Sequence, residues 1–271
     1  MRLAVSNIAW SSKKEEDALA ILKRAGIGAL EIAPTRWWPE WKDAATLSAV
    51  SHREKYAALG FSIPSWQAIL FAKPTAKLFG NETERDTLMS HLHFCAELAA
   101  AAGARRLVFG APKNRARNGF SPETAFGMAR EFFASVANFY AQRGLSLCFE
   151  ANPPQYDCTF ATNSVEAARL VRAVDSPGFR LHLDTACMYL AGEDIPAALR
   201  ANADILDHFH VSEPFLGSFM SCVIDHRRVS QTLREVAYGG SISLEMRETE
   251  EPIADLRTAT EFLAKTYGGE N

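Results

Sequence analysis

The sequence predicts a single (β/α)₈ barrel domain spanning residues 1–271. Three observations lead there. Short apolar runs alternate with longer helical patterns from end to end, one candidate helix after each of eight candidate strands. No G-x-G-x-x-G follows the first strand, where a doubly wound sheet would place it to cradle a phosphate. The length also suits a barrel, which commonly fills about 250 residues as one domain.

The elements follow in order. A strand over residues 3–9, with Trp10 at its end, precedes a helix over 15–25 that opens on three acids, Glu15, Glu16 and Asp17. Strands at 28–33 and 61–69 are followed by helices at 43–59 and 82–102. The strand at 105–110 leads to a helix at 122–143, announced by Ser121-Pro122-Glu123 as cap, first-turn proline and first-turn acid. The strand at 145–150 leads to a helix at 164–174 capped by Asn163. Strands at 179–184, 205–212 and 241–247 alternate with helices at 195–201, 226–236 and 253–266. Gly26, Gly60, Gly103 and Gly144 stand where helices should stop.

Composition narrows the function classes. With 29 Lys+Arg against 32 Asp+Glu the net charge is −3, and no basic stripe suits a nucleic-acid backbone. No apolar run approaches the roughly 18 residues of a membrane helix. The first ten residues run into Lys13-Lys14-Glu15 without a cleavable leader pattern, so the expected location is the cytoplasm. Five cysteines without a C-x-x-C pair imply reduced thiols rather than a disulfide frame or structural zinc.

In a parallel barrel alternate strand residues point inward, and those at the C-terminal ends form the functional rim. In Leu145-Ser146-Leu147-Cys148-Phe149-Glu150 the bulky residues face the helices and Glu150 tops the inner face. The same parity brings Asp184 to the rim on strand six, His210 above His208 on strand seven, and Glu245 inward on strand eight. Three carboxylates and an imidazole on adjacent strands would repel and be poorly solvated without a cation, so these four are candidate metal ligands. Oxygen-rich ligation with one imidazole favours Mn²⁺, Mg²⁺ or Co²⁺, with Zn²⁺ as an alternative. The bland reading is three isolated rim carboxylates and one hydrogen-bonded core histidine.

These residues, with Ser6-Asn7-Ile8-Ala9-Trp10, Glu31-Ile32-Ala33-Pro34-Thr35, Phe109 to Arg115, Glu150-Ala151-Asn152-Pro153-Pro154, Leu181-His182-Leu183-Asp184-Thr185 and His208 to Pro214, give a chain that resembles the xylose isomerase-like barrels along nearly its whole length. That superfamily of sugar phosphate isomerases and epimerases includes ketose 3-epimerases, hydroxypyruvate isomerase, inosose dehydratase and endonuclease IV. The resemblance implies that Glu150, Asp184, His210 and Glu245 bind the metal, and that Glu150 and Glu245 exchange a proton on opposite faces of a substrate carbon, through an enediolate. Three departures weaken a free-ketose assignment. The family's substrate-contacting His is Cys187 here, its acid six residues after the first metal Glu is Tyr156, and its Arg after the strand-seven motif has no counterpart in 215–220.

The expected function is therefore a metal-dependent isomerase or epimerase of a sugar, sugar phosphate or polyol. The rivals are a dehydratase of the inosose dehydratase kind and a non-catalytic sugar-binding barrel. Endonuclease IV fits less well, because its three-metal cluster needs extra His and acidic ligands where this chain has Gln67 and Gly110-Ala111. Homodimers and homotetramers are common among such relatives.

Around the rim, Lys113 and Arg115 are candidate grips for a phosphate or carboxylate, with a solvated basic loop as the alternative. Trp38, with Trp37 and Trp41, is a candidate cover over sugar faces or a loop-packing cluster. Asn7, Glu31 and Gln67 are candidate partners of substrate hydroxyls, Glu31 alternatively a support for a ligand, and Cys187 a pocket-lining residue. His182 and His208 belong one layer deeper, in hydrogen bonding beneath the ligands with direct catalysis as the alternative, and His226 reads as a capping or loop residue or one that approaches the rim.

Overall fold

A computed structural model describes residues 1–269. Its strands are β1 (Arg2–Ser6), β2 (Ala29–Ile32), β3 (Ser62–Trp66), β4 (Arg106–Phe109), β5 (Ser146–Glu150), β6 (Phe179–Asp184), β7 (Leu206–Val211) and β8 (Ser241–Leu244). They close into one parallel barrel in chain order, with β8 pairing back onto β1. The helices are α1 (Glu15–Arg24), α2 (Thr46–Ala58), α3 (Glu82–Ala102), α4 (Pro122–Ala141), α5 (Ser164–Val174), α6 (Thr185–Leu190), α7 (Ile195–Asn202), α8 (His226–Glu235) and α9 (Pro252–Tyr267).

The expected pattern of one helix per strand breaks after β6, which is followed by both α6 and α7. Asp184 causes the extra helix: its carboxylate accepts the Cys187 N–H at 2.7 Å, capping α6 directly at the strand end. The first strand is also shorter than expected. It ends at Ser6, and Asn7–Ala9 turn into a 3₁₀ segment, so Trp10 lies beyond it. β3 stops at Trp66, shortly before Ala68 adopts a left-handed φ of 52°. α2 starts at Thr46 because Asp43, at φ 60°, cannot lie in a right-handed helix.

Local chemistry sets the other ends. Asn81 and Glu84 form a reciprocal capping box at the start of α3, each side chain accepting the other's N–H at 2.9 Å. Gly103, at φ 87°, closes the same helix in the left-handed region. Outward strand residues Phe109, Phe149 and Phe179 meet Phe133 of α4 with ring centroids 4.6–5.4 Å apart, forming the layer between barrel and helices. Fully burying four such rings, at about 1.5–3 kcal/mol each, fixes which face of β4, β5 and β6 looks outward. The opposite faces must then carry the polar inward residues.

Candidate active site

Strand register sets the heights of those inward residues. Glu150 lies beside His182 across β5–β6, and Asp184 beside His210 across β6–β7. Glu245 is one residue past β8, yet its N–H still bonds to Val211 O at 2.9 Å, so the pleat continues far enough to aim it inward. Ligand atoms of Glu150, Asp184 and His210 all lie within 4.8 Å of one another, and Glu245 Oε2 approaches His210 Nδ1 at 3.3 Å. The four predicted ligands thus converge on one buried rim.

Two of them, Asp184 and His210, are held from behind. Asp184 accepts from Cys187 N through one oxygen and from Ser212 Oγ, at 2.6 Å, through the other. Burial and the neighbouring Glu150 carboxylate push Asp184 up to about 6. His210 Nε2 stands 2.7 Å from Glu31, whose other oxygen is 2.6 Å from His208 Nε2. Burial alone would raise the Glu31 carboxyl, but His210 and His208 hold it well below its ordinary range. Burial likewise opposes charge on His210, yet Glu31 and Glu245 raise it well above the usual imidazole value. With Nε2 against Glu31, Nδ1, 3.3 Å from Glu245 Oε2, is the nitrogen that could hold a cation.

These residues fit a divalent cation. Three carboxylates and one imidazole form a hard, oxygen-rich donor set, and the burial and Glu150 charge that raise Asp184 are both costs a cation would offset. A second group, His182, His208 and His210, also lies within 4.8 Å. It is the layer beneath the rim, where His208 is spent on Glu31 and His182 Nε2 faces Glu150 Oε1 at 3.5 Å. Glu213, Cys222 and His226 form a third group, but the Glu213 carboxylate is consumed by Val223 N, Ile224 N and His226 Nε2. His226 therefore begins α8 as a buried lock, with Nδ1 on Tyr267 Oη at 2.7 Å.

The remaining candidates divide. Gln67 and Lys113 line a cavity of 890 Å³ that also exposes Glu150, His210, Glu245 and Tyr156. Cys187 lines an adjoining 290 Å³ recess with Asp184, Asn152 and Ser212. Arg115 is not an anion grip: it is 0% exposed, donates to Glu150 O at 2.6 Å and Asn152 Oδ1 at 3.0 Å, and lies over the Phe149 ring at 4.7 Å. Glu31 is also 0% exposed and supports the histidines instead of meeting substrate. Asn7 is buried, its Oδ1 accepting from Ala33 N at 2.8 Å between β1 and β2. Trp38 is buried edge-on against Trp37 and Trp66, packing the loop rather than covering the mouth.

Sequence reasoning passed over Gly110 and Ser212. A Cβ at Gly110 would collide with Glu150 Oε2, so the missing side chain makes room for the carboxylate. The available signal was a glycine ending β4 beside an acid ending β5.

The sequence matches the xylose isomerase-like TIM barrel family over residues 19–266. The chain belongs to that family. Its fold is shared by a D-psicose 3-epimerase solved in the presence of D-fructose, at TM-score 0.80 and 16% identity, covering 99% of this chain and 100% of that one. The IOLI protein with a bound zinc atom gives 0.78 and 16%, covering 98% of each chain. A probable 3-DHS dehydratase involved in petrobactin synthesis in Bacillus anthracis gives 0.75 and 13%, covering 97% of this chain and 99% of that one. No curated protein matches the sequence significantly. Among the described residues no helix is long and apolar enough to cross a membrane.

Proposed function

We propose that the protein is a divalent-metal-dependent isomerase or epimerase of a sugar or sugar-like polyol, acting by proton abstraction beside a carbonyl through an enediolate. The observation that carries this reading is the convergence of Glu150, Asp184, His210 and Glu245, where the 890 Å³ cavity lined by Glu150, His210 and Glu245 adjoins the recess lined by Asp184. A cation held by these four, with Mn²⁺ the best match to the donor set, supplies Lewis-acid stabilisation of negative charge on substrate oxygen.

The chain's own residues supply the rest. Glu150 and Glu245 come from non-adjacent strands and both face the cavity, so a substrate between them meets a carboxylate on each side. One removes the proton from carbon and the other delivers a proton to the opposite face, giving inversion; return at the neighbouring carbon gives isomerisation. Asp184 and His210, positioned by Ser212 and Glu31, would hold the cation beside Glu150 and Glu245. The Tyr156 hydroxyl accepts Phe215 N–H at 2.9 Å, which fixes its ring at the cavity wall.

The test is deuterium incorporation from D₂O into ketoses and inososes by protein supplied with Mn²⁺. Exchange into carbon, lost in Glu150→Gln and Glu245→Gln, supports the reading; full exchange in both variants rejects it. A dehydratase is the second reading, favoured by Cys187 and Tyr156 at the positions where ketose epimerases grip their substrate, and by the shared fold of the probable 3-DHS dehydratase. Product mass separates the two, because epimerisation conserves mass and dehydration loses one water.

A further inference from the structure

We propose that the substrate of this site is anionic, a sugar bearing a phosphate or carboxylate whose charged end binds Lys73 and Lys113. The inference rests on the proton-transfer reading above and names the substrate class that the cavity selects.

The cavity is electrically polarised. Its acidic lining residues are Glu150 and Glu245, both at the rim cluster. The wall built by the β3–α3 and β4–α4 loops carries three ammonium groups and no acid: Lys73, Lys77 and Lys113. Lys77 is paired with Glu84 at 2.8 Å, whereas Lys73 and Lys113 form no ion pair among the described residues. In a chain of net charge −3, two uncompensated cations on one cavity wall are a local feature. A neutral sugar would offer them only uncharged oxygen acceptors, while an anion would also compensate their charge through charge-assisted hydrogen bonds.

The loops that carry the two lysines are also joined before any ligand arrives. Asn114, next to Lys113, donates its side-chain amide to Lys73 O at 2.8 Å and Ala76 O at 2.7 Å, and accepts from Leu78 N at 2.8 Å through its own carbonyl. These bonds tie the backbone beside one lysine to the backbone of the other, so the two loops need not be brought together when a ligand binds. Lys73 is half-buried beside the apolar wall of Ile69, Leu70 and Val108, where lower solvent exposure strengthens its attraction to an anion. The cavity is also larger than a free monosaccharide requires, reaching the upper part of the range typical of ligand pockets, roughly 300–1,000 Å³.

Calorimetric titration with D-fructose, D-fructose 6-phosphate and D-fructuronate, in EDTA and again with Mn²⁺, tests the proposal. At least one charged sugar should bind about tenfold or more tightly than fructose in both conditions, and that margin should shrink in 0.5 M NaCl. The Lys73→Met/Lys113→Met double variant, its fold checked by circular dichroism, should lose the margin. Phosphate preferred over carboxylate identifies a sugar phosphate, and the reverse a sugar acid. Charged sugars binding no better than fructose, including no binding of any, overturn the proposal, as does a margin retained in the double variant. Deuterium exchange on the same three sugars keeps the two readings apart: a preserved charge preference without exchange supports the anion site and counts against proton transfer.

Discussion

Replacing Glu31 with Gln tests how the metal-facing nitrogen is set. Glu31 lies 2.6 Å from His208 Nε2 and 2.7 Å from His210 Nε2, and its side chain is wholly buried. A glutamine offers one acceptor and one NH₂ donor in their place, so one imidazole N–H loses its partner. A charge-assisted bond contributes about 1.5–3 kcal/mol, and a buried donor left unsatisfied costs about 1–3 kcal/mol. Taken together, a destabilisation of about 3 kcal/mol is expected from urea unfolding of metal-free protein. His210 would also lose the carboxylate 2.7 Å from its Nε2 that favours a proton on that nitrogen, weakening Mn²⁺ binding by about 10–100-fold. Isothermal titration with MnCl₂ on variant protein that retains its wild-type circular dichroism measures this directly. Affinity within twofold of wild type would refute the claim that Glu31 selects the Nδ1 ligand.

Three further perturbations follow from the same geometry. Because Asp184 is raised to about 6 and His210 is raised as well, metal must displace protons, so Mn²⁺ affinity should climb from pH 5 to pH 7.5. Asp184 alone contributes about tenfold loss per pH unit below its raised value, and flat affinity across that range in calorimetry would contradict it. Gly110→Ala should push Glu150 out of place and lower metal content after dialysis, with little change in circular dichroism; full occupancy would show that the glycine is not needed there. Arg115→Met should lower stability in urea by about 3 kcal/mol through loss of its bonds to Glu150 O and Asn152 Oδ1, while leaving any preference for anionic sugars unchanged. An altered preference with unchanged stability would reverse the role assigned to Arg115.

Strand parity made the rim legible in the sequence. Leu147, Phe149, Leu181, Leu183 and Leu244 had to face the helices, so Glu150, Asp184 and Glu245 had to face inward. The loops were not legible, because parity stops where φ changes sign. Ala111 at φ 40° turns the chain after β4, and Arg115 returns beneath the end of β5 instead of projecting over the mouth. Partnerships across the barrel were hidden for another reason. Glu31 and His208 are 177 residues apart, and only the closed register of eight strands brings them together. A register shift in β6–β7, pairing Leu181 with Leu206 but His182 with His208, also leaves Asp207 to bond Arg106 across the barrel, which simple alternation does not predict.

The central claim is that one cation joins Glu150, Asp184, His210 and Glu245. Anomalous diffraction at the manganese edge, from crystals grown in excess MnCl₂, measures it most directly. The account predicts a peak bounded by three carboxylates and His210 Nδ1, absent from Asp184→Asn crystals grown in the same way. No peak at that rim, or a peak lying instead among His182 and His208, would contradict it.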